Sequence, residues 1–287
     1  MGTSRFFSWM PLLAMIVNLT SIFAANVDYK WRDAEPETDI LAYTHEYRDS
    51  LYNGFGVTFQ QGMRTFTTGK FLDNEVLVFE GSWGFMSAGW AKLVLDRDTT
   101  NSRLLISAKA MTNPFVSAFY KVRDYMYCIA DLEGMYPFFF EEHLREGRYA
   151  DDRWILFDNQ NQLVYTHKKN KRKVEVPPFS HSVMTLLYAI RARELKPGNR
   201  FTINAFVQKK NYPIRFTCRC KDRVTTDAGE FDCIMIEPQL VGKGRVFTKK
   251  DKIRMYFTDD EYHMPVQVKI KIAVGSIYIK LIHYERP

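Results

Sequence analysis

The sequence is short of the features that usually make a protein's chemistry obvious. It has only four cysteines in 287 residues, too few for a disulfide-stapled scaffold, and Cys-x-Cys with no nearby His is not a zinc pattern. No Gly-x-Ser-x-Gly elbow, Walker loop or His-Glu-x-x-His pair occurs, so common hydrolase, nucleotide-binding and metalloprotease signatures are missing. Beyond residue 25 there is no run of 18 apolar residues, which excludes a helical membrane span there. Repeats and low-complexity tracts are absent, which excludes a solenoid or a disordered chain. Even charge is scarcer than the total suggests. The formal net charge is +7, but Lys168, Lys169, Lys171, Arg172 and Lys173 supply five of the seven, leaving +2 elsewhere. Such a balance describes one local basic turn rather than a basic face, and nucleic-acid binding is not expected.

What is present points to an exported β protein. Arg5 precedes an apolar run that ends in Ala24-Ala25, which reads as a secretory signal over 1–24. The chain is therefore expected to be exported to the periplasm or cell surface and soluble after cleavage. Residues 25–70 read as an appendage, partly helical through an amphipathic stretch at 39–51, ahead of a domain at 71–287.

In that domain, apolar runs of strand length recur between turn signals. The expected strands are 75–81, 88–96, 103–111, 121–131, 136–145, 150–158 and 162–167, then 201–206, 212–225, 230–241, 252–258, 264–274 and 276–284. Their short spacing favours antiparallel hairpins over βαβ units. One clear helix interrupts them, with Ser180 as its expected N-cap and an end near Leu195 before Lys196-Pro197-Gly198. A shorter turn at 114–120 has Asn113 as its cap and Pro114 in the first position. Strand alternation puts Cys218 and Cys220 on one face. Either could approach Cys233 across strands, or all could remain buried free thiols. The fold class expected is mainly β, a curved antiparallel sheet or half-open barrel with one covering helix.

Several phrases stand out, in order, along the domain. They are Phe79-Glu80-Gly81-Ser82-Trp83-Gly84, Val122-Arg123-Asp124, Arg153-Trp154-Ile155-Leu156-Phe157-Asp158, Leu187-Tyr188-Ala189-Ile190-Arg191 and Leu195-Lys196-Pro197-Gly198. Three more follow: Thr226-Asp227-Ala228-Gly229-Glu230-Phe231-Asp232, Phe257-Thr258-Asp259-Asp260 and Pro265-Val266. Taken together in this order they resemble the bacterial exported family DUF3108, and the resemblance covers about 75–284. It implies an envelope protein with a half-open barrel like the lipoprotein carriers LolA and LolB, and it carries no reaction or catalytic residue with it.

No catalytic residue, cofactor or metal site is assigned. Asp151-Asp152 would point to opposite faces of a strand and cannot pair as glycosidase carboxyls. Asp259-Asp260, next to Tyr262 and His263, reads first as a turn. Glu141-Glu142-His143 lacks a spaced second His. Arg123, Asp124 and Arg191 lie in apolar surroundings, where charges are usually paired. They read either as an internal Arg–Asp network holding the helix on the sheet, or as arginines meeting an anionic head group. With apolar Leu187, Phe119 and Tyr188, Arg123 and Arg191 form the candidate ligand site. The aromatic run at 136–140 reads mainly as core.

The expected function is non-catalytic binding of a lipid, acyl chain or other amphipathic ligand in an apolar cavity between sheet and helix. A ten-carbon chain, at about 0.8 kcal/mol per buried methylene, would offset the cost of association. Two alternatives stand beside it: an exported glycan-active lyase or hydrolase, and a structural envelope module with an envelope protein as partner. The basic turn, Lys168, Lys169, Lys171, Arg172 and Lys173, is expected on an exposed hairpin tip as a candidate contact for an anionic membrane surface.

Overall fold

The computed structural model describes residues 43–66, 74–167, 172–207, 210–241, 252–272 and 275–285. The expected signal segment and the stretch 39–42 lie outside them. The described strands form one antiparallel, curved and unclosed sheet. In chain order they are β1 (Glu75–Trp83), β2 (Met86–Asp98), β3 (Arg103–Thr112), β4 (Arg123–Asp131), β5 (Pro137–Glu146), β6 (Tyr149–Asp158) and β7 (Leu163–Thr166). They continue as β8 (Arg172–Glu175), β9 (Arg200–Val207), β10 (Lys210–Thr226), β11 (Gly229–Leu240), β12 (Lys252–Thr258), β13 (Pro265–Lys271) and β14 (Ser276–Glu285). The order across the sheet is β8-β7-β6-β5-β4-β3-β2-β1-β14-β13-β12-β11-β10-β9. It is a meander whose first and last strands meet in the middle, through the β1–β14 pairing.

Among the described residues three helices accompany it: α1 (His45–Phe55), α2 (Pro114–Ser117) and α3 (Val183–Arg191). The α2 turn is capped as expected, with Asn113 Oδ1 accepting from Val116 N at 2.8 Å. For α3 the expected cap is displaced by two residues. Ser182, not Ser180, caps it, in a reciprocal capping box with Thr185, which satisfies two orphan donors at once. Ser180 instead donates to Pro177 O, and His181 forms a parallel bridge to Ala205 of β9. The helix stops at Arg191 rather than near Leu195. On the N-terminal side, helix expected over 39–51 is found at His45–Phe55, because the Thr44 side chain caps it and Gly56, at φ 63°, ends it.

Alternation, interrupted at bulges, builds two layers. On the inner face, Leu77, Leu95, Ile106, Met126, Cys128 and Phe140 pack with α3. On the opposite face, Ile129, Phe139, Trp154 and Leu156 pack with Tyr52, Leu51, Phe55 and Phe59 from the segment 43–66. Strand β5 is covered on both sides and is buried along almost its whole length. Two sequence expectations failed locally. Strand β8 begins inside the basic run, where composition signalled only a turn. A register shift between Cys218 and Cys220, opposite Ile236 and Met235, puts an extra residue in β10. That bulge breaks the alternation, so Cys218 is buried while Cys220 is exposed, and all four cysteines are free thiols.

Candidate functional site

A cavity of about 130 Å³ lies on the inner face between β1–β3 and β12–β14, closed on one side by Leu187 of α3. Small residues create it: Gly81, Gly89, Ala91, Ala108 and Ala110 line one wall, where larger side chains would fill the space. Gly89 also lets β2 and β3 approach, since a Cβ there would sit 2.2 Å from Met111 O. Across from it stand Phe257, Pro265, Val268 and Ile279, and the lining is almost wholly apolar, with Glu146 at its edge. The size resembles that of the engineered apolar cavities of about 150 Å³ that hold benzene. It fits about six carbons, not the ten considered from sequence.

Beside the apolar zone the inner face turns acidic. Glu142 lies opposite Met126 and Arg153, and alternation puts Asp124 and Glu146 on the same face. Asp124 is buried, with Oδ1 accepting from Arg145 N at 2.9 Å. Burial pushes its carboxyl up to about 8, and the neighbouring Glu146 and Glu142 push the same way. Glu142 is pushed up to about 7 by burial, against the pull of Arg153, whose Nε lies 2.7 Å away. One oxygen of each, Asp124 Oδ2 and Glu142 Oε2, is buried without a hydrogen-bond partner. Thus the inner face has both an apolar void and a group of carboxyls that resist ionisation. Sequence reading weighed Glu142 only within Glu141-Glu142-His143, as a metal ligand, and passed over Glu146. Their period-2 spacing with Phe140 and Leu144 was the available signal. Among the described residues no three His, Cys, Asp or Glu side chains converge as a metal site.

The five apolar and cationic residues singled out from sequence do not form one site. Leu187 lines the cavity. Tyr188 is buried, with its ring 5.1 Å from the Arg191 guanidinium. Arg191 is itself fully buried and clasps Glu75 of β1 with two bonds of 2.6 and 2.7 Å, while Nε donates to Tyr262 O at 3.1 Å. Burial disfavours its charge, but the Glu75 carboxylate outweighs that and leaves the guanidinium pKa raised. The helix is therefore tied to the sheet by an Arg–Glu pair, where the sequence suggested an Arg–Asp network. Arg123 points away from Asp124 and donates to the carbonyls of Thr112 and Val122. Phe119 is 65% exposed at the end of the α2 turn and lies outside the cavity lining.

Asp260 forms the expected turn, accepting from Thr258 Oγ1, Tyr262 N and His263 N. Asp151 and Asp152 diverge as expected, towards Arg153 and His143 respectively. Of the basic turn, Lys168, Lys169 and Lys171 lie outside the described residues. Arg172 and Lys173 pair with Thr166 and Tyr165 in the β7–β8 hairpin, and Lys173 is exposed.

Comparison with solved structures gives a beta-barrel-like protein of the domain of unknown function DUF1849 from Brucella abortus. Its TM-score is 0.54 at 7% identity, covering 76% of this chain and 99% of that one. At that identity the likeness concerns the fold alone. A candidate exported protein with a YmcC-like fold from Bacteroides fragilis aligns with TM-score 0.36 and 10% identity, over 78% of this chain and 100% of that one. No curated protein matches the sequence. A family model described as a protein of unknown function, DUF3108, matches residues 78–282. With the ordered phrases and the single antiparallel sheet they sit on, this match means that the chain belongs to the DUF3108 family.

Proposed function

We propose that the protein is an exported, non-catalytic binding protein of the cell envelope that takes the apolar end of a lipid or other amphipathic ligand into the cavity beside Leu187. The observation that carries the reading is the lining itself: an almost wholly apolar void walled by Phe79, Leu93, Ala110, Leu187, Phe257 and Val268. Water is a poor occupant of such a space. About six buried carbons at about 0.8 kcal/mol each contribute about 5 kcal/mol. This lies at the low end of the cost of association. An acyl end alone therefore binds weakly, and the rest of the ligand, left outside, must be held by something else. Export rests on the N-terminal segment read as a signal, and a LolA/LolB-like carrier role remains an analogy of architecture. Among the described residues no helix is long and apolar enough to cross a membrane.

A fluorescent fatty-acid probe tests the reading. Saturable binding is expected, and Leu187→Trp, which fills the cavity, should reduce it at least tenfold while leaving the fold intact. Absence of saturable binding up to the solubility limit would overturn the carrier reading. The glycan-active alternative would then gain, because Asp124, Glu142 and Glu146 share one face. Against it stands the burial of Asp124 and Glu142, each only 2% exposed, which leaves a sugar no approach to either carboxyl.

A further inference from the structure

The meander sends successive connections alternately to two ends of the sheet. At one end lie the links β1–β2, β3–β4, β5–β6, β7–β8, β9–β10, β11–β12 and β13–β14; at the other lie β2–β3, β4–β5, β6–β7, β10–β11 and β12–β13, with the α3 connection. The charges sort with them. Among the described residues, the links at the first end contain Lys121 and Arg148 and no acidic residue. The five short links at the opposite end contain five acidic residues, Glu133, Asp227, Asp259, Asp260 and Glu261, and no Lys or Arg, while the α3 connection there adds Glu194 against Arg191, Arg193 and Lys196 and leaves that end net acidic. Among the described links, charge is thus separated between the two ends of the sheet.

The same basic end exposes aromatic rings. Phe85, in the β1–β2 turn, is 93% exposed, and Phe119 and Tyr149 are 65% and 44% exposed. They are held on one rim by backbone contacts. Asn113, which caps α2, bonds Ala88 O through its N–H and Ser87 O through Nδ2, so the turn carrying Phe115 and Phe119 is fixed beside the strand that follows Phe85. Gly147 N donates to Lys121 O at 2.8 Å, which brings the Phe119–Lys121 corner next to Arg148 and Tyr149. The cavity reaches this rim, since Thr112, Val122 and Glu146, the residues flanking those links, line it. Isolated exposed rings are ordinary on a protein surface. Rings fixed next to cations at one pole are the pattern of a surface that settles into the interface of an anionic bilayer.

We propose that the rim formed by Phe85, Phe119, Lys121, Arg148 and Tyr149 docks on an anionic phospholipid surface, with the two phenylalanines entering the interface. Charge complementarity and continuity with an apolar cavity select a lipid surface over a protein partner. The inference adds the partner surface to the cavity reading, and its failure is read separately.

Sedimentation with vesicles of equimolar phosphatidylcholine and phosphatidylglycerol tests it, against vesicles of phosphatidylcholine alone. Adsorption is expected on the anionic vesicles and should weaken as salt rises. Phe85→Ser and Phe119→Ser should each lower the partition coefficient about tenfold, the scale of removing one aromatic ring from an apolar phase. Lys121→Glu with Arg148→Glu should lower it at least twenty-fold, at about fivefold or more per lost charge. Equal adsorption on both vesicle types, no adsorption at all, or adsorption unchanged in the phenylalanine variants would each overturn the proposal. Self-association abolished by Phe85→Ser, without vesicle binding, would reassign the rim to a second copy of the chain. Fatty-acid probe titration on the same variants keeps the two readings apart. Probe binding that survives loss of vesicle adsorption leaves the cavity standing, and the converse leaves the rim.

Discussion

Removing Arg191 separates two roles that the sequence leaves open, a structural tie and a head-group ligand. Arg191 and Glu75 are both completely shielded from solvent at their side chains, and they share two bonds of 2.6 and 2.7 Å. Arg191→Ala would strand the Glu75 carboxylate in the core, which costs about 3–5 kcal/mol. For a domain of this size, each kcal/mol corresponds to about 2–4 °C, so Tm should fall by roughly 6–20 °C. Glu75→Gln should do comparable damage from the other side, by leaving a guanidinium buried without its counter-charge. The double variant Glu75→Leu with Arg191→Met should recover most of the loss, since replacing a buried pair with apolar residues of similar size is often neutral or stabilising. Arg191→Lys should fall between, because an ammonium cannot reproduce the bidentate fork or the bond to Tyr262 O. Urea unfolding followed by circular dichroism, with fatty-acid probe binding on the folded variants, gives both readouts. Arg191→Ala within about 1 kcal/mol of the wild type would refute the structural reasoning. A stable double variant that no longer binds probe would instead make Arg191 part of the ligand site.

Two further outcomes follow from the inner face. An unfolded Asp titrates near about 3.9, whereas burial holds Asp124 up to about 8; between those values the folded state keeps a proton that the unfolded state has released. Stability should therefore decline as pH rises from about 4 to about 8, and Asp124→Asn should make the decline shallower, Glu142 accounting for the remainder; identical pH profiles in urea unfolding would contradict this. Gly89→Ala places a Cβ 2.2 Å from Met111 O and 2.8 Å from Thr112 Cα, so β2 and β3 must part, at a cost of about 1–3 kcal/mol and with weaker fatty-acid probe binding. An unchanged urea midpoint would show that the close approach is not needed.

The sequence by itself determined the class of fold. Period-2 runs and short turns were enough to place thirteen of the strands, because alternation and turn chemistry are local properties that each segment carries alone. It also carried the family, through phrases such as Arg153–Asp158 and Thr226–Asp232 that need no partner to be read. It determined the α2 turn, whose cap and first-position proline lie next to each other in the chain. Non-local facts were out of its reach. Strand β8 exists because β7 pairs with it, although its own residues spell a basic loop. Cys218 and Cys220 part company because β11 imposes a bulge. Ser180 failed as a cap because β9 draws His181 into a bridge, leaving Ser182 to start the helix. Most of the candidate site is non-local in the same way. Leu187 was found from its helix, but the small residues that open the cavity, and the rows of Asp124, Glu142 and Glu146, become neighbours only when strands align. Charge shows the difference most plainly. Composition counted a net charge and located one basic run, whereas the alternation of antiparallel connections decided that, among the described links, Lys121 and Arg148 lie at one end of the sheet and Glu133, Asp227, Asp259, Asp260 and Glu261 at the other, since which end a turn occupies depends on how many strands precede it.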